Sequence, residues 1–292
     1  WYTDFVQRVP RITDWTDWWG RGGAGENRRN FRLLSRLMSP VETFFEEESR
    51  KGAKAVTTVS TTISERAKGL GFPPERIKVI RTPADTDVIS PKNKKYARRH
   101  LGIPESSTVV TFSGFTHYDI ELVLGTFSVL RKRIQGATLV TTGSTPNFIK
   151  TSHPEFARSS DILTFGNIPR EELSNVLAVT DVFILPLAEN LANRARFPAR
   201  FSDHCAAGRP IVTNPVGDMP VYFERHDIGR VTDPEPEAMS AAIEEIAGSN
   251  KTLDSMGKNA RILAETELSP ATCTEELLSF WCSIPELESV IN

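Results

Sequence analysis

The sequence predicts an α/β protein built on parallel sheets, and three observations carry that reading. Apolar, β-branched runs recur from residue 108 onward, at 108–112 (TVVTF), 137–142 (ATLVTT), 161–165 (DILTF), 181–185 (DVFIL) and 210–213 (PIVT), with a weaker one at 229–232 (GRVT). Helical patterns lie between them and after the last, at 119–134, 170–178, 198–207, 219–226 and 236–247. Short loops containing Gly114, Gly143, Gly166 and Gly217 follow several of the runs. Strands apolar on both faces and separated by helices indicate a sheet covered on both sides. The expected fold is therefore a complete C-terminal Rossmann-like parallel sheet domain, preceded by a short or partial N-terminal α/β domain.

In chain order, the first segment offers a strand at 10–15 (PRITDW), a helix from about 28 to 50, a strand at 55–59 (AVTTV) and a short run at 77–80 (IKVI). A βαβ unit takes roughly 30 residues, so residues 1–88 cannot hold a full six-stranded half and are assigned to the partial N-terminal domain. Residues 89–107 (ISPKNKKYARRHLGIPESS) read as the linker into the second domain, 89–270, with their positive run on a solvated face. In 119–134, Ile120, Leu124, Phe127, Leu130 and Ile134 share one helical face. Residues 271–282 (ATCTEELLSFWC) read as a final amphipathic helix, so 271–292 form a C-terminal helix and tail.

The segment 198–207 is punctuated at both ends. Pro198 suits a first helical position, where its missing N–H costs nothing, and Gly208 suits the position after a helix C-terminus. Arg194, Arg196 and Arg200 crowd the N-terminal end, where the helix dipole is already positive. That arrangement is unfavourable unless an anion sits there.

The composition bounds the function. The chain has 292 residues, 39% hydrophobic and 25% charged, with 35 basic and 37 acidic side chains for a net charge of −2. This balance describes an ordinary globular protein and argues against a nucleic-acid partner. No apolar run approaches the roughly 18 residues of a bilayer span, and no secretory leader is recognisable. Cys205, Cys273 and Cys282 lack metal-site spacing and read as reduced thiols of a cytoplasmic protein, with peripheral membrane contact left open.

Several motifs are weighed and set aside. Gly20-Arg21-Gly22-Gly23-Ala24-Gly25 matches G-x-G-x-x-G, but the preceding Trp15-Thr16-Asp17-Trp18-Trp19 fits a buried strand poorly, so it reads as a mobile glycine-rich loop. Those tryptophans are core or interface material before they are sugar platforms. No G-x-S-x-G, P-loop or metal-ligand spacing occurs, and no metal site is expected. His117 is singled out from the other histidines because it follows the first strand of the second domain. Ligands of doubly wound sheets bind outside the carboxyl ends of the strands, which makes the loops 113–117 (with Gly114, Phe115, Thr116 and His117), 143–145 (with Gly143), 166–169, 186–197 and 214–218 candidate site positions.

Five stretches then occur in order: ITDWTDWW, AVTTVSTTISERAKGLGFPPERIKVIRTPADTDVISP, VVTFSG, FGNIPREELSNVLAVTDVFILPLAEN and NRARFPARFSDHCAAGRPIVTNPVG. Together they resemble the retaining glycosyltransferases of the family-4 type, with the GT-B fold, over residues 10–285 and most densely over 160–230. The resemblance implies two Rossmann-like domains facing across a cleft, the C-terminal one binding a nucleotide diphosphate sugar and the N-terminal one a hydroxyl acceptor.

Carried over, it places the donor diphosphate at Arg196 and Arg200, the ribose at Asp203, the base at Asn167 and Ile168, and the donor sugar at Asn190 and Asn193. Phe197 joins the donor-binding set, and Arg196, Arg200 and His117 are the catalytic candidates. No cofactor is implied beyond the donor substrate. The implied reaction is metal-independent transfer with retention, by leaving-group stabilisation and front-face attack. The sequence departs from the family pattern at Ala195, where a glutamate is common, at Thr82-Pro83-Ala84-Asp85, and in having no histidine before His100. Two alternatives stay open: a non-catalytic domain binding a nucleotide sugar or a protein, and a nucleotide-sugar epimerase of the same fold.

Overall fold

In the computed structural model, residues 10–25, 32–114 and 119–287 are described. The first sheet has three parallel strands in the order β1-β2-β3: β1 (Ile12–Trp15), β2 (Ala55–Thr58) and β3 (Ile77–Val79). Ile12 pairs with Ala55, and Val56 pairs with Ile77. Helix α1 (Arg32–Glu48) connects β1 to β2 and contains Pro40. Helix α2 (Thr61–Gly69) follows β2, its first turn capped by the Ser60 hydroxyl, which accepts from the Ile63 N–H.

The second sheet is all parallel, in the order β6-β5-β4-β7-β8-β9. Its strands are β4 (Thr108–Phe112), β5 (Ala137–Thr141), β6 (Ile162–Thr164), β7 (Val182–Leu185), β8 (Ile211–Thr213) and β9 (Gly229–Val231). The chain runs outward from β4 to β6, then returns to place β7 on the other side of β4. The order therefore reverses between β4 and β7, where a doubly wound sheet leaves a crevice at its carboxyl edge. All six expected strands are present.

The helices of this part are α3 (Lys94–His100), α4 (Ile120–Arg133), α5 (Thr145–Ser152), α6 (Pro154–Ala157), α7 (Arg170–Leu177), α8 (Leu191–Ala195), α9 (Ala199–Ala206), α10 (Met219–His226), α11 (Pro236–Ala247), α12 (Asn250–Glu265) and α13 (Pro270–Cys282). On α4, Ile120, Leu124, Phe127 and Leu130 are buried against β4, β5 and α11 in one cluster. A second cluster runs from Trp15 and Val56 of the first sheet, through Ile63 and Ala67 of α2, to Phe183, Phe201 and Ile211 of the second. The two sheets thus share a continuous apolar core.

Two expectations are corrected. Residues 89–107 are no free linker: α3 lies within them, and Arg98 is buried, with Nη2 donating to Asp181 Oδ2 at 2.5 Å and Nε to the Val179 carbonyl at 2.9 Å. The stretch packs against Val109, Val140 and Val179 because Ala97 and Ile103 supply apolar anchors between the charges.

The glycine-rich stretch 20–25 is a held turn. Gly23 N–H donates to the Gly20 carbonyl at 2.8 Å and Ala24 N–H to that of Trp18 at 2.6 Å. A Cβ on Gly23 would lie 2.1 Å from the Trp18 oxygen, so close backbone approach explains that glycine.

Trp15 is core, fully buried, its Nε1 donating to Glu46 at 2.8 Å. Glu46 is itself buried, also accepts from the Trp19 and Gly20 N–H groups, and pairs with Arg66 at 3.1 Å. A buried carboxylate is tolerated only when so satisfied. The Arg66 guanidinium lies 3.9 Å from the Trp18 ring centroid, so that ring stacks on an arginine. Among the described residues no helix is long and apolar enough to cross a membrane, and the three cysteines are free.

Candidate active site

Helix α9 begins one residue later than the sequence suggested: Pro198 is the N-cap and Ala199 the first helical residue, with Gly208 left-handed (φ +64°) after the C-cap. The short α8 precedes it, capped by Asn190, whose side-chain oxygen accepts from the Asn193 N–H at 2.8 Å. Between these helices Arg196 is extended backbone (φ −90°, ψ 157°).

Arg200 reaches from the first turn of α9 to the start of α4. Its Nη2 donates to Asp119 Oδ2 at 2.9 Å, and Arg196 Nη2 lies 3.9 Å from the same oxygen. The other Asp119 oxygen accepts from the Ala188 N–H at 2.9 Å. Asp119 is fully buried and the Arg200 side chain nearly so, which pulls the guanidinium pKa down by burial while Asp119 holds it up. Two guanidiniums converge on one carboxylate at the β4–β7 switch point. The Arg200 Cζ also lies 5.2 Å from the Phe112 ring centroid, which fixes its approach.

Three loops meet beside this group. Gly114 (φ +86°) and Gly143 (φ +76°) are left-handed, and a Cβ on Gly143 would lie 3.3 Å from the Gly114 carbonyl. Thr145 Oγ1 donates to that carbonyl at 2.6 Å, Gly114 N–H to Thr142 Oγ1 at 3.2 Å, and Gly143 N–H to the Gly166 carbonyl at 3.0 Å. Ser113 is anchored from behind by His204 Nε2 at 2.6 Å. His204 is fully buried and stacked 3.9 Å from the Phe183 ring. Burial, helped by the Arg200 charge, holds its pKa well below the usual histidine range, so it stays neutral.

A cleft of about 340 Å³ opens between the sheets, lined by Thr16, Asp17, Val59 and Thr82 on one side and by Arg196, Phe197, Pro198, Ala199 and Arg200 on the other. The halves are tied across it. Asp218 accepts from the Thr61 N–H at 3.0 Å and from the Thr61 hydroxyl and Arg81. Ser202 Oγ donates to the Thr82 carbonyl at 2.8 Å, and Ser60 Oγ donates to that of Ala195.

The structure brings together Arg196, Phe197, Arg200 and Gly114, with Gly143 one loop away. The Phe197 ring packs with Phe201 and Tyr222 at 5.5 and 5.4 Å. Asn190 and Asn193 brace their own loop; Asn193 is buried and its Nδ2 donates to the Ala188 carbonyl at 2.7 Å. Asn167 is exposed and Ile168 half-buried, both in the loop before α7. Asp203, three residues on from Arg200, is not among the described residues lining this cleft and has Asp85 and Arg170 as charged neighbours; burial first, then the Asp85 charge, raises its pKa to about 6, with Arg170 opposing. Phe115, Thr116 and His117 lie outside the described residues. Sequence reasoning missed Asp119, the anchoring of Ser113 by His204, which it read as a packing residue, and the tie from Asp218, of which it had only the loop 214–218, to Thr61 and Arg81. All three are joined to partners far off in the chain, a relation that local spacing cannot show.

The model of the family "Glycosyl transferases group 1" matches residues 93–263. The chain is similar to the D-inositol 3-phosphate glycosyltransferase of Corynebacterium glutamicum (strain R), 25% identical over 218 residues, which cover 69% of this chain and 50% of that protein. The protein of the same name from Mycolicibacterium smegmatis is 26% identical over 197 residues, 59% of this chain and 43% of that one. The chain spans about half the length of the curated relatives it matches.

Among solved structures, Anabaena Alr3699/HepE in complex with UDP and glucose superposes with a TM-score of 0.70 at 16% identity, over 94% of this chain and 72% of that one. WaaG, a glycosyltransferase involved in lipopolysaccharide biosynthesis, gives 0.69 at 17%, over 95% and 76%. At these identities the likeness is one of fold, and the fold is GT-B-like. On the match over 93–263, the chain belongs to the glycosyl transferases group 1 family.

Proposed function

We propose that this chain transfers a sugar from a nucleotide diphosphate sugar to a hydroxyl acceptor, with retention and without a metal ion. The observation that carries the reading is the convergence of Arg196 and Arg200 on Asp119 at the β4–β7 switch point, facing the cleft between the sheets. A diphosphate is an anion with oxygens for both guanidiniums. Planar guanidiniums bind phosphate oxygens bidentately and stabilise the charge that grows on the leaving group. These fixed charges fill the role a divalent cation has elsewhere.

The bond from the anomeric carbon to the diphosphate breaks, the acceptor oxygen bonds that carbon on the same face, and the hydroxyl proton leaves with the diphosphate. The Gly114–Gly143 contact lets backbone approach the phosphates, Asn167 and Ile168 flank the base, and Asp203 receives the ribose hydroxyls. Asn190 and Asn193 shape the sugar end, and His117, between Gly114 and Asp119 in sequence, is the third catalytic candidate. The reading makes 1–88 the acceptor side and 89–270 the donor side of a family-4 type enzyme working in the cytoplasm. The UDP and UDP-glucose complexes of Alr3699/HepE make uridine donors the first to test.

The test is a thermal-shift and calorimetric screen of UDP, GDP, ADP and their sugar conjugates in the presence of a chelator. A ligand of the folded state stabilises it by RT ln(1 + [L]/Kd), about 2.7 kcal/mol at a hundredfold excess over Kd. A base-selective shift, lost in Arg200→Ala, is expected. No shift with any nucleotide overturns the reading.

A further inference from the structure

We infer that Asp17 binds the acceptor, and that the acceptor group it takes is an uncharged polyol or sugar rather than a phosphorylated one. The inference rests on the donor reading above. Asp17 follows β1 and lines the cleft across from Arg196 and Arg200. Its carboxylate has no hydrogen bond or ion pair with any described residue, whereas nearby carboxylates are taken: Asp14 by the Thr57 hydroxyl at 2.6 Å, Asp119 by Arg200, and Asp218 by Thr61 and Arg81. A half-buried carboxylate left open in so thoroughly paired a cleft is available to a ligand.

The chemistry of its wall selects the ligand. The described lining residues from the first sheet's side are Thr16, Asp17, Val59 and Thr82: two hydroxyls, one carboxylate, one apolar side chain and no cation. An ionised carboxylate only accepts hydrogen bonds, and its two oxygens can take two neighbouring hydroxyls at once. A phosphate brought to this wall would meet like charge with no cation among the wall's described lining residues, since Arg196 and Arg200 stand on the opposite wall with the diphosphate. A hydroxyl held by Asp17 faces those arginines, and hence the carbon that leaves the diphosphate. Asp17 holds and orients it, while the hydroxyl proton departs with the leaving group.

The test uses the whole chain and its Asp17→Asn and Asp17→Ser variants. Nucleotide stabilisation is measured on each, followed by transfer of labelled sugar to glucose, myo-inositol and glycerol, and to glucose 6-phosphate and glycerol 3-phosphate. The expected result is equal nucleotide stabilisation in all three proteins, transfer by the unmodified chain to neutral acceptors only, and an acceptor KM raised at least tenfold in both variants at an unchanged donor KM. An unchanged acceptor KM in Asp17→Asn, a preference for phosphorylated acceptors, or no transfer to any neutral acceptor by a chain that binds nucleotide overturns this inference and leaves the donor reading standing. Absence of nucleotide stabilisation in the unmodified chain removes the donor reading and this inference with it.

Discussion

Asp218 and Thr61, 157 residues apart, are joined by a 3.0 Å hydrogen bond from the Thr61 backbone N–H to the Asp218 carboxylate. The bond fixes the first turn of α2 to the N-cap of α10, and Arg81 closes the same contact from the first sheet. One carboxylate thus joins the two halves at the cleft, beside the Ser60–Ala195 and Ser202–Thr82 bonds.

Replacing that carboxylate tests how much this tie contributes. Asp218→Ala leaves Arg81 and the Thr61 N–H without their shared acceptor, and is expected to destabilise the chain by about 2–4 kcal/mol. Urea unfolding measures this. A loss under about 0.5 kcal/mol, as for an exposed pair, contradicts the assignment.

The arginine pair separates by charge and geometry. Arg200→Ala is expected to weaken nucleotide diphosphate binding by about 10–150-fold, the worth of a charge-assisted hydrogen bond at about 1.5–3 kcal/mol. Arg200→Lys keeps the charge but loses the fork, so it falls between the two. Calorimetry on the three proteins decides. Equal affinities for the arginine and alanine forms exclude Arg200 from the donor site.

Asp203 makes stability depend on pH in the less common direction for a carboxyl group. Its folded pKa of about 6 stands above the ordinary 3.8, so between these values the folded chain holds a proton that the unfolded chain has lost. Stability from this group is full below about pH 4 and declines as pH rises through 6. Asp203→Asn is expected to remove the decline and to be more stable than the parent at pH 7.5 by about 1–3 kcal/mol. Chemical denaturation at pH 4.5, 6 and 7.5 reads it. A variant less stable than its parent at pH 7.5 refutes the sign.

His204 acts in the opposite sense. Its folded pKa lies well below 6.5, so the unfolded chain takes up a proton first as pH falls. Its contribution is full above about pH 6.5 and drains away below it. His204→Gln is expected to lower stability at pH 8, because the ring stack on Phe183 is lost, and to flatten the fall between pH 6.5 and 5. An unchanged slope in that interval places the titration elsewhere.

Much of the architecture is legible in the sequence, for physical reasons. The β4 and β5 runs are β-branched and apolar on both faces, which only a covered parallel strand requires. Pro198 and Gly208 bracket α9 because each has a backbone preference that little else can satisfy. Helix α2 escapes notice because TTISERAKG is polar and its start is marked only by Ser60. The site is legible as to Arg196 and Arg200, whose crowding demands an anion. Their partner Asp119 is 81 residues from Arg200, and Ser113 is 91 from His204. Such pairings are fixed by tertiary placement and leave no period in the chain.

The apolar core running unbroken from Trp15 to Phe201 and Ile211 has a thermodynamic consequence. Opening either half exposes the core it shares with the other, so the chain is expected to unfold as one cooperative body. A nucleotide bound by the second half alone would then slow amide exchange in β1 and β2 as well, and protection would be felt far from the atoms that touch the ligand.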